Sequence, residues 1–200
     1  MDTATFLTAF TALFVIVDPI GAAIIFHSLV PSNDPHHSRH MAIKASIIST
    51  ILLLVFGLYG APFLAYLGID IDSLRVAGGL LLFYTAFGMI TQGAEYTSTA
   101  TKTDISVYPL SIPLLAGPGS LTLVILLFAK APTFASDMAV VAAITSVLFL
   151  TLLLMLIAPA LKRVIGHTGD EILRRFLGVI LAALAVQFVH DGIVNLGAVS

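Results

Sequence analysis

Charged positions are sparse along this chain, and long apolar stretches run between them. The windows Ala45–Ile69, Val76–Ala94, Ile105–Ala129 and Met138–Leu161 contain no Asp, Glu, Lys or Arg. About 20 apolar residues, at a rise of about 1.5 Å each, cross a hydrocarbon layer about 30 Å thick, so each window predicts a membrane-spanning helix. The stretch from Ala4 to Val30 is equally apolar apart from Asp18 and His27, and Phe176 to Val199 is interrupted only by His190 and Asp191. Six spans are therefore expected. The first is too long for a signal peptide, lacks a basic start, and carries Asp18-Pro19 where an apolar run should be continuous. The connections Pro31–His40, Gly68–Ser73, Tyr96–Asp104, Lys130–Asp137 and Lys162–Asp170 read as short polar loops.

Composition narrows the class further. Hydrophobic residues make up 58% and charged residues 10% of 200, with mean hydropathy +1.07, whereas soluble domains carry about 25% charge. A net charge of −2 supplies no basic field for nucleic acid. The absence of Cys excludes disulfides, thiolate nucleophiles and Cys-ligated metal centres. Arg39, Lys44, Lys102, Lys162, Arg163, Arg174 and Arg175 fall on one side of the membrane and Arg75 and Lys130 on the other. The excess of positive charge marks cytoplasmic loops, so both termini are expected outside.

The chain also matches itself. An offset of 99 aligns Leu74 with Leu173, Arg75 with Arg174, Gly79 with Gly178, Leu82 with Leu181, Ala86 with Ala185 and Gly93 with Gly192. The same offset places Pro19 on Pro118, and an offset of 97 places Ala61-Pro62 on Ala158-Pro159. A duplicated unit of three spans enters the membrane upside down in its second copy, the inverted repeat of many secondary transporters. The expected architecture is an all-α integral membrane protein. Its first repeat occupies residues 1–95, a cytoplasmic linker 96–106, and the inverted second repeat 107–200, together one transmembrane domain.

Two spans carry interruptions at matching depth. Asp18-Pro19-Ile20-Gly21 lies within span 1 and Gly117-Pro118-Gly119-Ser120 within span 4. Proline removes a backbone donor and disfavours helix at the preceding residue, yet suits the first position of a new helix. Spans 1 and 4 should thus be discontinuous, with Asp18 and Gly117 capping second half-helices whose positive ends attract anions. Irregular backbone at this depth must be buried in protein or line a wet cavity, so the breaks are expected to share a binding site. Asp18 suits a cation, while the half-helix start with Ser120 and Thr122 suits an anion. A zwitterionic amino acid presents both. A carboxylate at this depth is also a site for coupling to H+ or Na+. The structural alternative is that both prolines merely kink packed helices.

Other polar residues are weaker candidates. Gln187, Tyr84, Thr85 and Gln92 would be penalised in hydrocarbon, so some should face the interior; Gln187 is the best substrate ligand among them, although interhelical bonding is the commoner role. Asp191 and His190 read as an interfacial cap. Arg75 and Arg174 should snorkel to the two interfaces. His36, His37 and His40 with Asp34 form a cluster better read as solvated than as metal-ligating, so no metal or cofactor is expected. An intramembrane protease built on Ser120 and His190 is disfavoured, because Leu121 follows the serine and His190 is far from the midplane; no enzyme activity is expected.

Val17-Asp18-Pro19-Ile20-Gly21, the run from Pro109 through Ser111, Pro113 and Gly117-Pro118-Gly119, and Gly178 through Gln187-Phe188 to Asp191-Gly192-Ile193 together resemble the MarC family. The likeness covers nearly the whole chain. It implies a six-span protein of a bacterial or archaeal inner membrane, and a transporter of small neutral amino acids such as glycine, alanine and serine. The alternatives are efflux of drugs or other small solutes, or a scaffold or channel. Membrane lipids are the remaining expected partners, and small-residue helix faces leave room for a homo-oligomer.

Overall fold

The computed structural model describes residues 2–30, 35–91, 111 and 115–198. The seven helices among these residues are α1 (Thr3–Val17), α2 (Pro19–Leu29), α3 (Pro35–Tyr66), α4 (Ile71–Thr91), α5 (Pro118–Lys130), α6 (Phe134–Leu156) and α7 (Ala158–Ala198). Five apolar stretches are long enough to cross a membrane: Thr3–His27, His36–Tyr66, Ile71–Thr91, Phe134–Leu156 and Glu171–Gly197. The expected fourth span appears as the shorter α5. Most of the preceding half of that span, and the linker 96–106, lie outside the described residues.

Two expected loops are partly helical. Within Pro31–His40, α3 begins at Pro35 and runs 32 residues, about 48 Å at the helical rise, so it extends beyond the hydrocarbon layer. Lys162–Asp170 is helical on either side of Gly166, whose φ of 65° and ψ of 177° mark a join that glycine makes without steric cost. The repeated Ala-Pro pair has two outcomes. Pro62 sits inside α3 without ending it, whereas the chain departs from helix at Ile157, just before Ala158-Pro159.

Helix packing sorts into two bodies. Leu13 and Val17 of α1, Leu53 of α3, Val124 of α5 and Ile144 and Leu148 of α6 meet in the main core. A smaller core of Leu82, Ala86, Leu181 and Ala185 joins α4 to α7. Those four residues are two pairs related by the 99-residue offset. Gly79 lies against the Ala185 carbonyl and Val189, and Gly178 against the Ala86 carbonyl and Ile90. The contact is therefore antiparallel and self-complementary, as two copies of one helix related by a two-fold in the membrane plane would make it. The other neighbours obey the same exchange: α3 packs on α5 as α6 packs on α2, and α4 packs on α5 as α7 packs on α2.

Polar groups hold the ends. Asp2 caps α1 through the Thr5 amide at 3.2 Å and hydroxyl at 2.5 Å, and accepts from the Ser136 hydroxyl of α6 at 3.4 Å. These bonds hold its carboxyl below the ordinary carboxylate value. Arg75 departs from expectation: it does not snorkel outward but is buried, paired with Asp72 at 2.8 Å. Asp72 also accepts from Asn195 of α7 at 3.1 Å, so the ion pair is stitched into the α4–α7 seam. A buried arginine costs less when its partner is fixed by a second hydrogen bond. Glu171 pairs with Arg175, on the surface of the opposite copy.

A methyl group at Gly79 would stand 2.8 Å from the Ala185 carbonyl and 3.0 Å from the Val189 amide, backbone that cannot step aside. Gly79→Ala should lower stability by about 1–3 kcal/mol. Gly88→Ala, where nothing lies within 4 Å, should be neutral or stabilising by up to about 1 kcal/mol. Thermal unfolding of both variants in one detergent checks the seam, and equal midpoints would refute it.

Candidate functional site

The first break is a single residue. Asp18 has φ 47° and ψ 70°, the left-handed region, and is the sole non-glycine residue with positive φ among those described. Its amide donates to the Phe14 carbonyl at 3.1 Å and ends α1; its carbonyl accepts from Ala22 at 2.8 Å and starts α2. Oδ1 accepts from the Gly21 amide at 3.0 Å, and Pro19 occupies the first helical position. Asp18 is thus the C-cap of one helix and the N-cap of the next. Gly21 has a specific reason to be glycine, since its Cβ would fall 2.8 Å from the Asp18 Cγ and push the carboxylate off the cap.

The second break reaches the same end differently. Gly117 is extended at φ −80° and ψ 170°, Pro118 follows at the first helical position, and no side chain caps α5. The Ser120 hydroxyl lies within hydrogen-bonding reach of the carbonyls of Leu115 at 3.1 Å and Gly117 at 3.0 Å, and the Gly117 carbonyl also accepts from the Leu121 amide at 2.9 Å. Thr122 donates from its hydroxyl to the Pro118 carbonyl at 2.8 Å. Gly117, Gly119, Ser120 and Thr122 are all buried, whereas Pro118 is exposed. In the first break Pro19 is buried and Asp18, Ile20 and Gly21 are half-buried.

The two breaks are neighbours. Ile16, two residues before Asp18, stands 3.6 Å from where a Gly119 Cβ would be, and Leu82 of α4 covers the same glycine. Thr122 fits against Gly78, whose Cβ would lie 2.6 Å from the Thr122 Cβ. The end of α1, the start of α5 and the middle of α4 therefore meet around one junction. Gly78, Ile16 and Leu82 were not legible as site residues, because apolar and glycine residues on spans carry no chemical signature. The paired glycines facing a threonine at the break were the available signal.

Several candidates lie elsewhere. Gln187 is exposed and bonds Asp191 at 2.6 Å. The inward stripe of α7 runs through Leu181, Ala185 and Gly192, and two residues beyond Ala185 is about 200° around the helix. Tyr84 and Thr85 are exposed too, with Thr85 donating to the Leu81 carbonyl. Gln92 lies outside the described residues. His190 is exposed, with Nδ1 3.3 Å from Asp191 Oδ1. His36, His37 and His40 are exposed on the first turns of α3, and Asp34 is outside the described residues.

Residues 3–196 match the sequence family described as MarC family integral membrane protein. A UPF0056 membrane protein of Methanocaldococcus jannaschii is 35% identical over 202 residues, covering 96% of this chain and 98% of its own. One of Archaeoglobus fulgidus is 32% identical over 195 residues, covering 94% and 92%. The UPF0056 membrane protein YvbG of Bacillus subtilis is 32% identical over 193 residues, covering 92% of each chain. No solved structure matches the chain.

The left-handed cap predicts an order among variants of Asp18. Asn keeps a capping oxygen and tolerates the left-handed region, so Asp18→Asn should change stability by no more than about 0.5 kcal/mol. Asp18→Ala keeps the Cβ at positive φ but loses the cap and the local hydrogen bonding that offsets that strain, and should cost about 1–2 kcal/mol. Unfolding midpoints in detergent test this, and matched values for Asn and Ala would show that the carboxylate does not hold the break.

Proposed function

The chain belongs to the MarC family of integral membrane proteins, and from that premise we propose that it is a secondary transporter of small neutral amino acids such as glycine, alanine and serine. The observation that carries this reading is the pairing of unlike helix starts at one junction. The first half-helix opens with a carboxylate at Asp18, and the second opens at Gly117 with no capping side chain, beside Ile16. The first suits an ammonium group and the second a carboxylate. Leu82 lies over Gly119 and Thr122 against Gly78, so the junction is closely packed, which favours a substrate with little side chain of its own. Pro19, Ile20, Gly21 and Pro118 shape the turns, while Ser120 and Thr122 present buried hydroxyl oxygens whose protons are directed to backbone carbonyls.

Asp18 is the coupling residue in this proposal. A carboxylate within hydrocarbon depth is costly as a bare anion, so binding of H+ or Na+ offsets the cost when substrate is absent. The inverted halves supply two related arrangements around a central site, as alternating access requires. The excess of basic residues on the Arg39 and Lys44 side supports a cytoplasmic position for that face in a bacterial or archaeal cell, with both termini outside. Transport involves no chemical change of the amino acid and no cofactor.

Counterflow tests the reading. Protein reconstituted into liposomes loaded with unlabelled alanine should take up labelled glycine or alanine saturably, and recovered label should be chemically unchanged. Asp18→Asn should retain exchange but lose accumulation driven by a proton or sodium gradient. Uptake that never saturates would point to a channel, modified label to an enzyme, and unaltered gradient-driven accumulation by the Asn variant would remove Asp18 from coupling.

A further inference from the structure

A cavity of about 380 Å³ lies away from the junction, between the end of α2, the first turns of α3 and the join of α6 to α7. Its inner wall is apolar and belongs to the packed interior: Phe26, Val30, Met155 and Ala158 are each buried. Its rim is polar, with His27 and Ser38 half-buried and Arg39 exposed. No carboxylate is among the lining residues, and no carboxylate pairs with Arg39 among the described residues. A concave site with a cationic rim and an apolar wall has the chemistry of an anionic amphiphile.

We propose that this cavity binds a phosphate group, that of an anionic membrane phospholipid. Arg39 supplies a planar set of donors matched to phosphate oxygens, and Ser38 a hydroxyl donor beside it. The position fits a headgroup. The cavity stands where α6 ends at Leu156, the limit of a membrane-spanning stretch, at the end of the molecule that carries Arg39, Lys44 and Arg163. Basic pockets between membrane helices at such a level recognise lipid headgroups. A soluble phosphate would use the rim but leave the apolar wall wet, whereas the glycerol and first acyl carbons of a lipid cover it. The bound lipid ties α2 to α3 and to the α6–α7 join. It therefore braces the far end of the half-helix that starts at Asp18, whatever the protein transports.

The test is thermal unfolding of the full chain in nanodiscs of phosphatidylcholine alone or mixed with phosphatidylglycerol. The unfolding midpoint should rise by several degrees with phosphatidylglycerol. The rise should vanish in Arg39→Gln and persist in Arg163→Gln, a basic residue outside the cavity. Glycerol phosphate added to phosphatidylcholine discs distinguishes the source: a rise there, lost in Arg39→Gln, keeps the phosphate site and assigns it a soluble ligand. No rise with either phosphate, a rise that survives Arg39→Gln, or one equally abolished by Arg163→Gln would overturn the proposal. Arg39 is exposed, so its substitution leaves the packed core intact.

Discussion

Hydrocarbon offers no partner to a backbone amide or carbonyl, and this constraint governs the two breaks within apolar helices at Asp18 and Gly117. An unbroken helix satisfies it automatically. A broken one strands donors at one end and acceptors at the other, and each must be matched locally. At the first break one residue does most of this work: the Asp18 amide, carbonyl and carboxylate each hold a different helix end. At the second, the Gly117 carbonyl accepts from the Leu121 amide and the Ser120 hydroxyl reaches the carbonyls of Leu115 and Gly117. The rest of the fold supplies the burial these turns need, with α4 and α6 closing around them.

The α4–α7 seam shows how duplication becomes packing. An antiparallel pair built from copies of one helix must present the same small residues twice, and here Gly79 faces the Ala185 turn as Gly178 faces the Ala86 turn. The copies are nevertheless not chemically equal. Half-buried Asp72 pairs with buried Arg75 and accepts from Asn195, whereas its counterpart Glu171 pairs with Arg175 at the surface.

Much of this was legible from residue order. Length and charge spacing marked the five membrane-length helices and the shorter α5, and the proline motifs marked both breaks, because proline and glycine act through local geometry that needs no tertiary context. The offset of 99 pointed to the residues that became the α4–α7 core. What the sequence concealed was facing. Gln187 looked like an interior ligand, yet a shift of two residues from the Ala185 stripe turns it outward, and only the neighbour of α7 decides which stripe is inside. Arg75 looked interfacial because nothing local announces that Asp72 and Asn195 will enclose it. The same limit hid the cavity beside Arg39, which residues 26–39 create together with the distant residues 155–159.

The two breaks also pose a question of residue choice that backbone conformation does not answer. At Asp18 the chain needs positive φ, for which glycine would be cheapest, and an aspartate stands there. At Gly117 the chain is extended, a conformation open to any residue, and a glycine stands there. Had conformation alone set these identities, they would be exchanged. The side chain at Asp18 must then be worth more than the strain it carries, as a helix cap and as a charge at membrane depth. The absence of a side chain at Gly117 leaves the first amides of α5 without a competing acceptor from their own cap, in a buried setting where an anion would be held by backbone alone. Each break thus has the composition that the proposed pairing of an ammonium with a carboxylate site would require and that its geometry does not.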